Sequence, residues 1–247
     1  MSGHNKWANI KHRKGAQDAR KGKIFTKIIK EMTVAARIGG GDINGNPRLR
    51  IAVDKAKEAN MPKDNIEKAI KKGTGEIEGV HYEEYVYEGY GDGGVAILVE
   101  AMTDNKNRTS GEVRNLFAKN SGAMAEAGAV AWNFERKGLI TLEGVKEDEV
   151  MELAIENGAE DLQSDGDVLE IICAVENLDS LKKALAIKYP DAKGEITMNP
   201  KNTVKIEKPE VAARVFRLIE LLEDHDDVQK VYSNVDVDDE VLAKIED

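Results

Sequence analysis

The sequence predicts an α+β protein: an N-terminal three-helix domain followed by two α/β sandwich domains, one of them ferredoxin-like (βαββαβ) and inserted in the other. Three observations predict it. Apolar residues recur at helical spacing from Ile24 to Ile70, after an N-terminal arm with few apolar anchors. Residues 138–198 then run strand, helix, strand, strand, helix, strand, the order of a ferredoxin-like unit. On either side of that unit lie the two halves of another α/β arrangement. The expected domains are residues 1–76, a discontinuous unit of 77–136 plus 200–247, and the insert 137–199.

Each element has a local reason. Ile24, Phe25, Ile28, Ile29, Met32, Ala35 and Ala36 form one helical stripe. Lys23, Lys27, Lys30 and Arg37 fall within roughly 40° of a single direction on the opposite side, which predicts a charged, solvated face. Gly39-Gly40-Gly41 stops this helix, because glycine takes the left-handed cap conformation readily. Asn46-Pro47 starts the second, with Asn as N-cap and Pro at the first helical position; Leu49, Ala52, Val53 and Ala56 make its stripe. Pro62 opens a third helix bearing Ile66, Ala69 and Ile70, with Gly73 as its expected end. Next come the strands YEEYVYEGY and GVAILVEAMT, a helix over 109–119 with Thr109-x-x-Glu112 as a capping box, and a strand over AVAWNFE. The insert follows with GLITLE, EDEVMELAIENG, AEDLQS, VLEIICAV, LDSLKKALAIKY and GEITMN. NTVKIEK, a helix over 209–223 and VQKVYSNVDV complete the interrupted unit.

Charge is distributed unevenly. The 247 residues carry a formal net charge of −10, yet residues 1–72 hold 18 Lys/Arg against 7 Asp/Glu, and the remainder 18 against 39. A basic module of net +11 therefore sits on an acidic body of net −21. Such segregation points to a polyanion-binding end, while the acidic body discourages indiscriminate adhesion. The lone Cys173 excludes an intramolecular disulfide framework and suits a reducing compartment, so a cytoplasmic location is expected. No window approaches the ~18 apolar residues of a membrane span, and the basic start lacks the apolar core of a secretory signal.

Several motifs lose their chemical reading in context. Gly89-Tyr90-Gly91-Asp92-Gly93-Gly94 has the G-x-G-x-x-G spacing of a dinucleotide loop, but it feeds an apolar strand rather than a helix and reads as a hairpin turn. His4 and His12 lie among lysines that would repel a cation. His225 sits in EDHDD, residues 223–227, which lacks the spacing and glycine of a calcium loop and reads as a solvated helix end. Cys173 lies in the apolar run IICAV and reads as a buried thiol. No catalytic residue, metal ligand or cofactor is expected, and the protein is not expected to be an enzyme.

The basic segment is the main functional signal. Lys6, Lys11, Arg13, Lys14, Arg20, Lys21 and Lys23 supply phosphate-directed charge against a single acid, Asp18. Trp7 offers a flat face, for stacking on an unpaired base or for packing on the helices. With His12, Lys27 and Lys30 these residues form the expected nucleic-acid-binding set. Six phosphate contacts would give a log–log salt slope of about −5 on duplex DNA.

The residues also carry a family resemblance. The run Gly3-His4-Asn5-Lys6-Trp7-Ala8-Asn9-Ile10-Lys11-His12-Arg13-Lys14 resembles the opening signature of the YebC/PmpR family, and NMPKDNIEKAIKKG (60–73), YEGYGDGGVAILVEAMTDNKNRT and VAWNFERKG, ending at Gly138, resemble three further motifs. Asp92 stands where the family often has proline, and the loop 42–46 varies. The resemblance implies a cytoplasmic protein of three domains, a helical one and two α/β, that is not an enzyme. It implies a probable DNA-binding transcriptional regulator. Relatives that include a mitochondrial translational activator of cytochrome oxidase imply the alternative, a translation factor bound to ribosomal RNA. In that case the Gly89–Gly94 loop and Lys106, Asn107 and Arg108 would be secondary contacts. Either way the expected partner is nucleic acid and not a membrane.

Overall fold

The structure, a computed structural model, describes residues 18–246. Three helices come first: α1 (Asp18–Gly39), α2 (Pro47–Glu58) and α3 (Lys63–Thr74). Their apolar stripes meet in one core of Met32, Ala35, Ala36, Leu49, Ala52, Val53, Ala56, Met61, Ile66 and Ala69. Gly40 takes φ +83° after α1. The Asn46 side chain accepts the Leu49 N–H, and Pro47 occupies the first helical position. At the third helix the expected end shifts. Gly73 lies inside α3, and Gly75, at φ +80°, is the cap. Gly73 instead permits a close helix crossing, since a Cβ there would run into the Thr33 carbonyl oxygen and come within 2.7 Å of the Ala36 Cβ. Gly73→Val should force α1 and α3 apart and cost about 1–3 kcal/mol, the usual range for overpacking. A lowered midpoint in urea would register it, and an unchanged midpoint would contradict the close approach.

The central unit holds a four-stranded sheet in the order β3 (Ala123–Ala125), β1 (Glu83–Tyr90), β2 (Ala96–Thr103), β9 (Val228–Ser233). β1 and β2 form the hairpin expected around Gly89–Gly94, with Glu83 opposite Thr103 and Tyr90 opposite Ala96. Gly93 and Gly94 both adopt positive φ there, which only glycine takes at little cost. Helices α4 (Lys106–Lys119) and α7 (Pro209–Glu223) cover one face, burying Val113, Phe117, Val215, Phe216, Ile219 and Leu222 against Ile97, Val99 and Val231. α8 (Asp239–Glu246) packs at the edge of the same core through Val241 and Leu242.

Three local expectations change here. α4 begins at Lys106, capped by Asn105, whose side chain accepts the Arg108 N–H; Thr109 is not the cap but a fully buried residue inside the helix. AVAWNFE is not a strand of this sheet. Residues Ala131–Asn133 make a tight turn, and the fourth strand is AMA at 123–125. The reason is Glu88: its carboxylate takes the N–H groups of Gly128, Val130 and Ala131, so none of the three joins a ladder. NTVKIEK contributes only β8 (Val204–Lys205), which pairs in parallel with β10 (Val235–Asp236) outside the main sheet.

The second four-stranded sheet runs β5 (Ala159–Asp165), β6 (Val168–Cys173), β4 (Phe134–Glu143), β7 (Lys193–Pro200), antiparallel throughout. With helices α5 (Met151–Glu156) and α6 (Leu178–Ala186), this is the strand order of the ferredoxin-like fold. Ile140, Leu142, Leu169, Ile171, Leu181 and Leu185 form its core. β4 crosses the boundary expected at residue 137 without interruption. Its first residue, Phe134, packs with Ala96, Leu98 and Val130 against the central sheet, while its partner β7 brings Met198 to the same place.

Candidate nucleic-acid interface

Lys6, Trp7, Lys11, His12, Arg13 and Lys14 lie outside the described residues, and Arg20 and Lys21 are placed only as backbone in the first turn of α1. The rest of the expected set can be located, and its environment is not the solvated face that helical spacing predicts. The Lys23, Lys27 and Lys30 side chains are turned onto the C-terminal end of α7. Lys23 Nζ donates to the Asp224 carbonyl at 3.0 Å and Lys27 Nζ to the Glu223 carbonyl at 2.6 Å. Lys30 Nζ donates to the Asp226 carbonyl at 2.9 Å and to Asp227 Oδ1 at 2.6 Å. Arg37 donates to the Tyr82 carbonyl. The basic face of α1 is thus a docking face within the protein. It meets carbonyls at the end of α7 and the negative end of a helix dipole, which together attract ammonium groups.

Lys30 is 6% exposed and Asp227 5%, so Lys30 is corrected from a phosphate contact to a structural cation. Lys27 is half-buried, and burial lowers the pKa of its amine. Its amine too is committed to the protein's own backbone. Lys23 remains exposed and within reach of a polyanion.

Asp227 collects partners from several elements. Besides Lys30, Arg108 donates to Oδ2 at 2.8 Å and the buried Thr109 hydroxyl at 2.7 Å. Burial works to raise the pKa of this carboxyl. Lys30, Arg108 and Thr109 nevertheless hold it well below the usual carboxylate range. EDHDD is therefore not simply a solvated helix end: Asp224 and Asp226 are exposed, but Asp227 is a buried anchor. Glu112, His225 and Asp227 each bring a ligand-type atom within 4.8 Å of the others. With Lys30 and Arg108 already on Asp227, the arrangement does not suit a cation.

The secondary contacts divide. Arg108 is held between Asp227 and Asp104, Lys106 Nζ lies 5.0 Å from the centre of the Tyr85 ring, and Asn107 is exposed. Two further links fix the domains. Arg48 bridges Glu31 of α1 and Glu84 of β1 at 2.7 Å each. Glu195 of β7 meets both Lys55 of α2, at 3.3 Å, and Lys230 of β9, at 2.8 Å.

Besides Lys23, further basic residues of the helical module lie open to an external anion. Lys68, Lys71 and Lys72 of α3 and Arg50 of α2 are all exposed. Lys68, Lys71 and Lys72 stand at i, i+3 and i+4, which puts them on one helix face. That spacing was visible in the sequence, but the denser lysines before residue 31 overshadowed it. Cys173 is fully buried, as expected, and burial pushes its thiol pKa up. Among the described residues no helix is long and apolar enough to cross a membrane.

Comparison with known proteins adds an independent line. Residues 5–76 match a family model described as the TACO1/YebC protein N-terminal domain, and residues 82–235 match one described as the TACO1/YebC second and third domain. A "probable transcriptional regulatory protein" of Desulfosudis oleivorans is 55% identical, covering 98% of this chain and 99% of its own. One of the same description from Thermotoga maritima is 54% identical over the whole of both chains. The crystal structure of a conserved hypothetical protein, Aq1575 from Aquifex aeolicus, superposes with a TM-score of 0.86 at 47% identity, covering 96% of this chain and 98% of that one.

Proposed function

Since the chain belongs to the TACO1/YebC family, whose curated members similar to it are named probable transcriptional regulatory proteins, we propose that it is a non-enzymatic, cytoplasmic regulator of gene expression that binds DNA through its helical module. The observation that carries this reading is the segregation of charge: a module of net +11 on a body of net −21. Part of the module's charge is used internally by Lys23, Lys27 and Lys30. Lys68, Lys71, Lys72 and Arg50 remain exposed, and the basic residues before Asp18 add to them. Contacts of this kind are made to phosphates and fix position more than sequence. Specificity would then rest on DNA shape and deformability.

Salt dependence tests the reading. Affinity for a duplex should fall steeply with salt. Replacing Lys68, Lys71 and Lys72 together by Gln should make the log–log slope shallower by about 2.7, at ~0.9 per phosphate contact. It should also weaken binding at least roughly tenfold at low salt, while the urea midpoint stays where it was. A slope unchanged by the triple substitution would remove α3 from the interface. A marked preference for ribosomal RNA over duplex DNA of equal length would move the reading from transcription to translation.

A further inference from the structure

Trp132 is 63% exposed and Tyr90 40%, although large aromatic side chains are usually well covered. Their polar atoms do not face solvent in search of a partner. Trp132 Nε1 and Tyr90 Oη both donate to the same acceptor, the Ala129 carbonyl, at 2.9 and 3.0 Å. The two side chains are therefore tied side by side with their polar edges turned inward, and what they offer outward is ring surface.

The loop that carries Trp132 is held from beneath. Glu88 is 5% exposed and accepts from Gly128 N at 2.6 Å, Val130 N at 2.7 Å and Ala131 N at 2.8 Å. Burial raises its pKa, but the three donors outweigh burial and hold it below the ordinary value. From the other side, the Asn133 carbonyl accepts from Lys201 N at 2.7 Å, and the Asn133 side chain donates to the Asn202 carbonyl at 2.8 Å. A buried charge and a buried amide are thus devoted to fixing a short turn whose exposed product is one indole ring. An ordinary surface turn needs neither.

We propose that Trp132 and Tyr90 form a stacking platform for an unpaired nucleobase, a second nucleic-acid site on the central unit that rests on the polyanion-binding reading above. Two features favour a nucleobase over a protein side chain. Cations are at hand: Lys201 adjoins Asn133, and Lys119 ends the helix just before β3, whose Ala123 pairs with Tyr90; both lysines are exposed, as are Glu126 and Glu135 at the two ends of the turn. Of the other large exposed apolar side chains among the described residues, Val86 stands four residues from Tyr90 on the same face of β1, and none lies in segments 119–135 or 199–203. Flat faces beside lysines suit a single strand, in which bases stack and phosphates meet cations.

The test compares a thymidine oligonucleotide with an abasic strand of the same length and charge. The intact protein should bind the base-bearing strand about tenfold more tightly, in keeping with stacking energies of ~1–3 kcal/mol per base. Trp132→Ala should abolish that preference and leave affinity for the abasic strand and its salt slope unchanged, while Trp132→Phe keeps most of it. An unaltered thermal transition in both variants checks that the fold is intact. A preference that survives Trp132→Ala overturns the platform, as does an intact protein that binds both strands equally; in both cases the charge-based reading stands. An intact protein that binds neither strand nor duplex overturns both.

Discussion

Asp227→Ala is expected to cost roughly 3–5 kcal/mol, the range for removing one partner of a buried ion pair. The variant leaves the Lys30 ammonium buried without its counter-charge and strips Thr109 and Arg108 of a shared acceptor. At ~2–4 °C per kcal/mol for a chain of this size, the thermal midpoint should fall by roughly 6–20 °C. The loss should be felt at the junction of the helical module and the central sheet, since Lys30 belongs to the first and Thr109 and Arg108 to the second. Hydrogen exchange should therefore rise in α1 and in the first turn of α4, while β5 and β6 keep their protection. The pH dependence follows from the sign of the shift. A carboxyl whose folded pKa is depressed from its ordinary 3.8 stabilises the fold above that value and loses the contribution as pH falls through it toward the folded one. Wild-type stability should thus decline on the acid side, below about pH 4, and Asp227→Asn should flatten that part of the decline. A variant as stable as wild type at pH 7 would mean that the helical module and the central unit are not held together through Asp227.

Glu88→Ala should cost at least about 3 kcal/mol. It removes one acceptor that serves three backbone N–H groups, and hydrogen bonds to a charged group contribute ~1.5–3 kcal/mol each. The Val130 N–H is buried, so without the Glu88 carboxylate it meets the desolvation penalty of an unpaired donor. The effect should be local first. Residues 126–133 would lose their fixed conformation, and Trp132 would lose its place beside Tyr90. Glu88→Gln is the informative companion: it keeps shape but supplies one acceptor oxygen in place of two, and should fall between wild type and alanine. Limited proteolysis at 126–133 reads the local effect, and urea unfolding the global one. Resistance to cleavage equal to that of wild type would show that the turn is held by Asn133 and its neighbours alone.

Much of the fold was legible because its signals are local. Asn46-Pro47, the glycines after α1 and the hairpin at Gly89–Gly94 each encode a backbone conformation in a few residues. The βαββαβ order of the insert shows through the alternation of apolar runs. What failed depended on partners far away in the chain. Thr109 looked like a cap because Thr-x-x-Glu is a local pattern, but Asp227 claims its hydroxyl from 118 positions further on. AVAWNFE looked like a strand because its residues suit one, yet Glu88 diverts the N–H groups. The face of α1 that carries Lys23, Lys27 and Lys30 looked solvated, since helical periodicity identifies a polar face without saying what lies opposite it. Here α7 lies opposite, and nothing near residue 30 announces that. The candidate interface was legible in its charge but not in its allocation: composition counts cations, whereas only geometry shows which ones the protein keeps for itself.

The pairing of β2 with β9, in which Ile97 lies opposite Ser233, sets an order on how the protein can assemble as it leaves the ribosome. The helical module can bury its own stripes as soon as α3 has emerged, and the ferredoxin-like insert can close once β7 has. The central sheet has to wait for β9, and with it come Asp227 and the end of α7. Contacts between distant parts of a chain incur the entropy of loop closure before they contribute any stability. Until synthesis is nearly complete, Lys27 and Lys30 lack their acceptors in residues 223–227, and the nascent molecule carries two more uncommitted cations on its leading helix than the finished one. The same acidic residues that complete the core thus set the charge of the mature surface, and folding itself is the step that reduces the protein's attraction for polyanions.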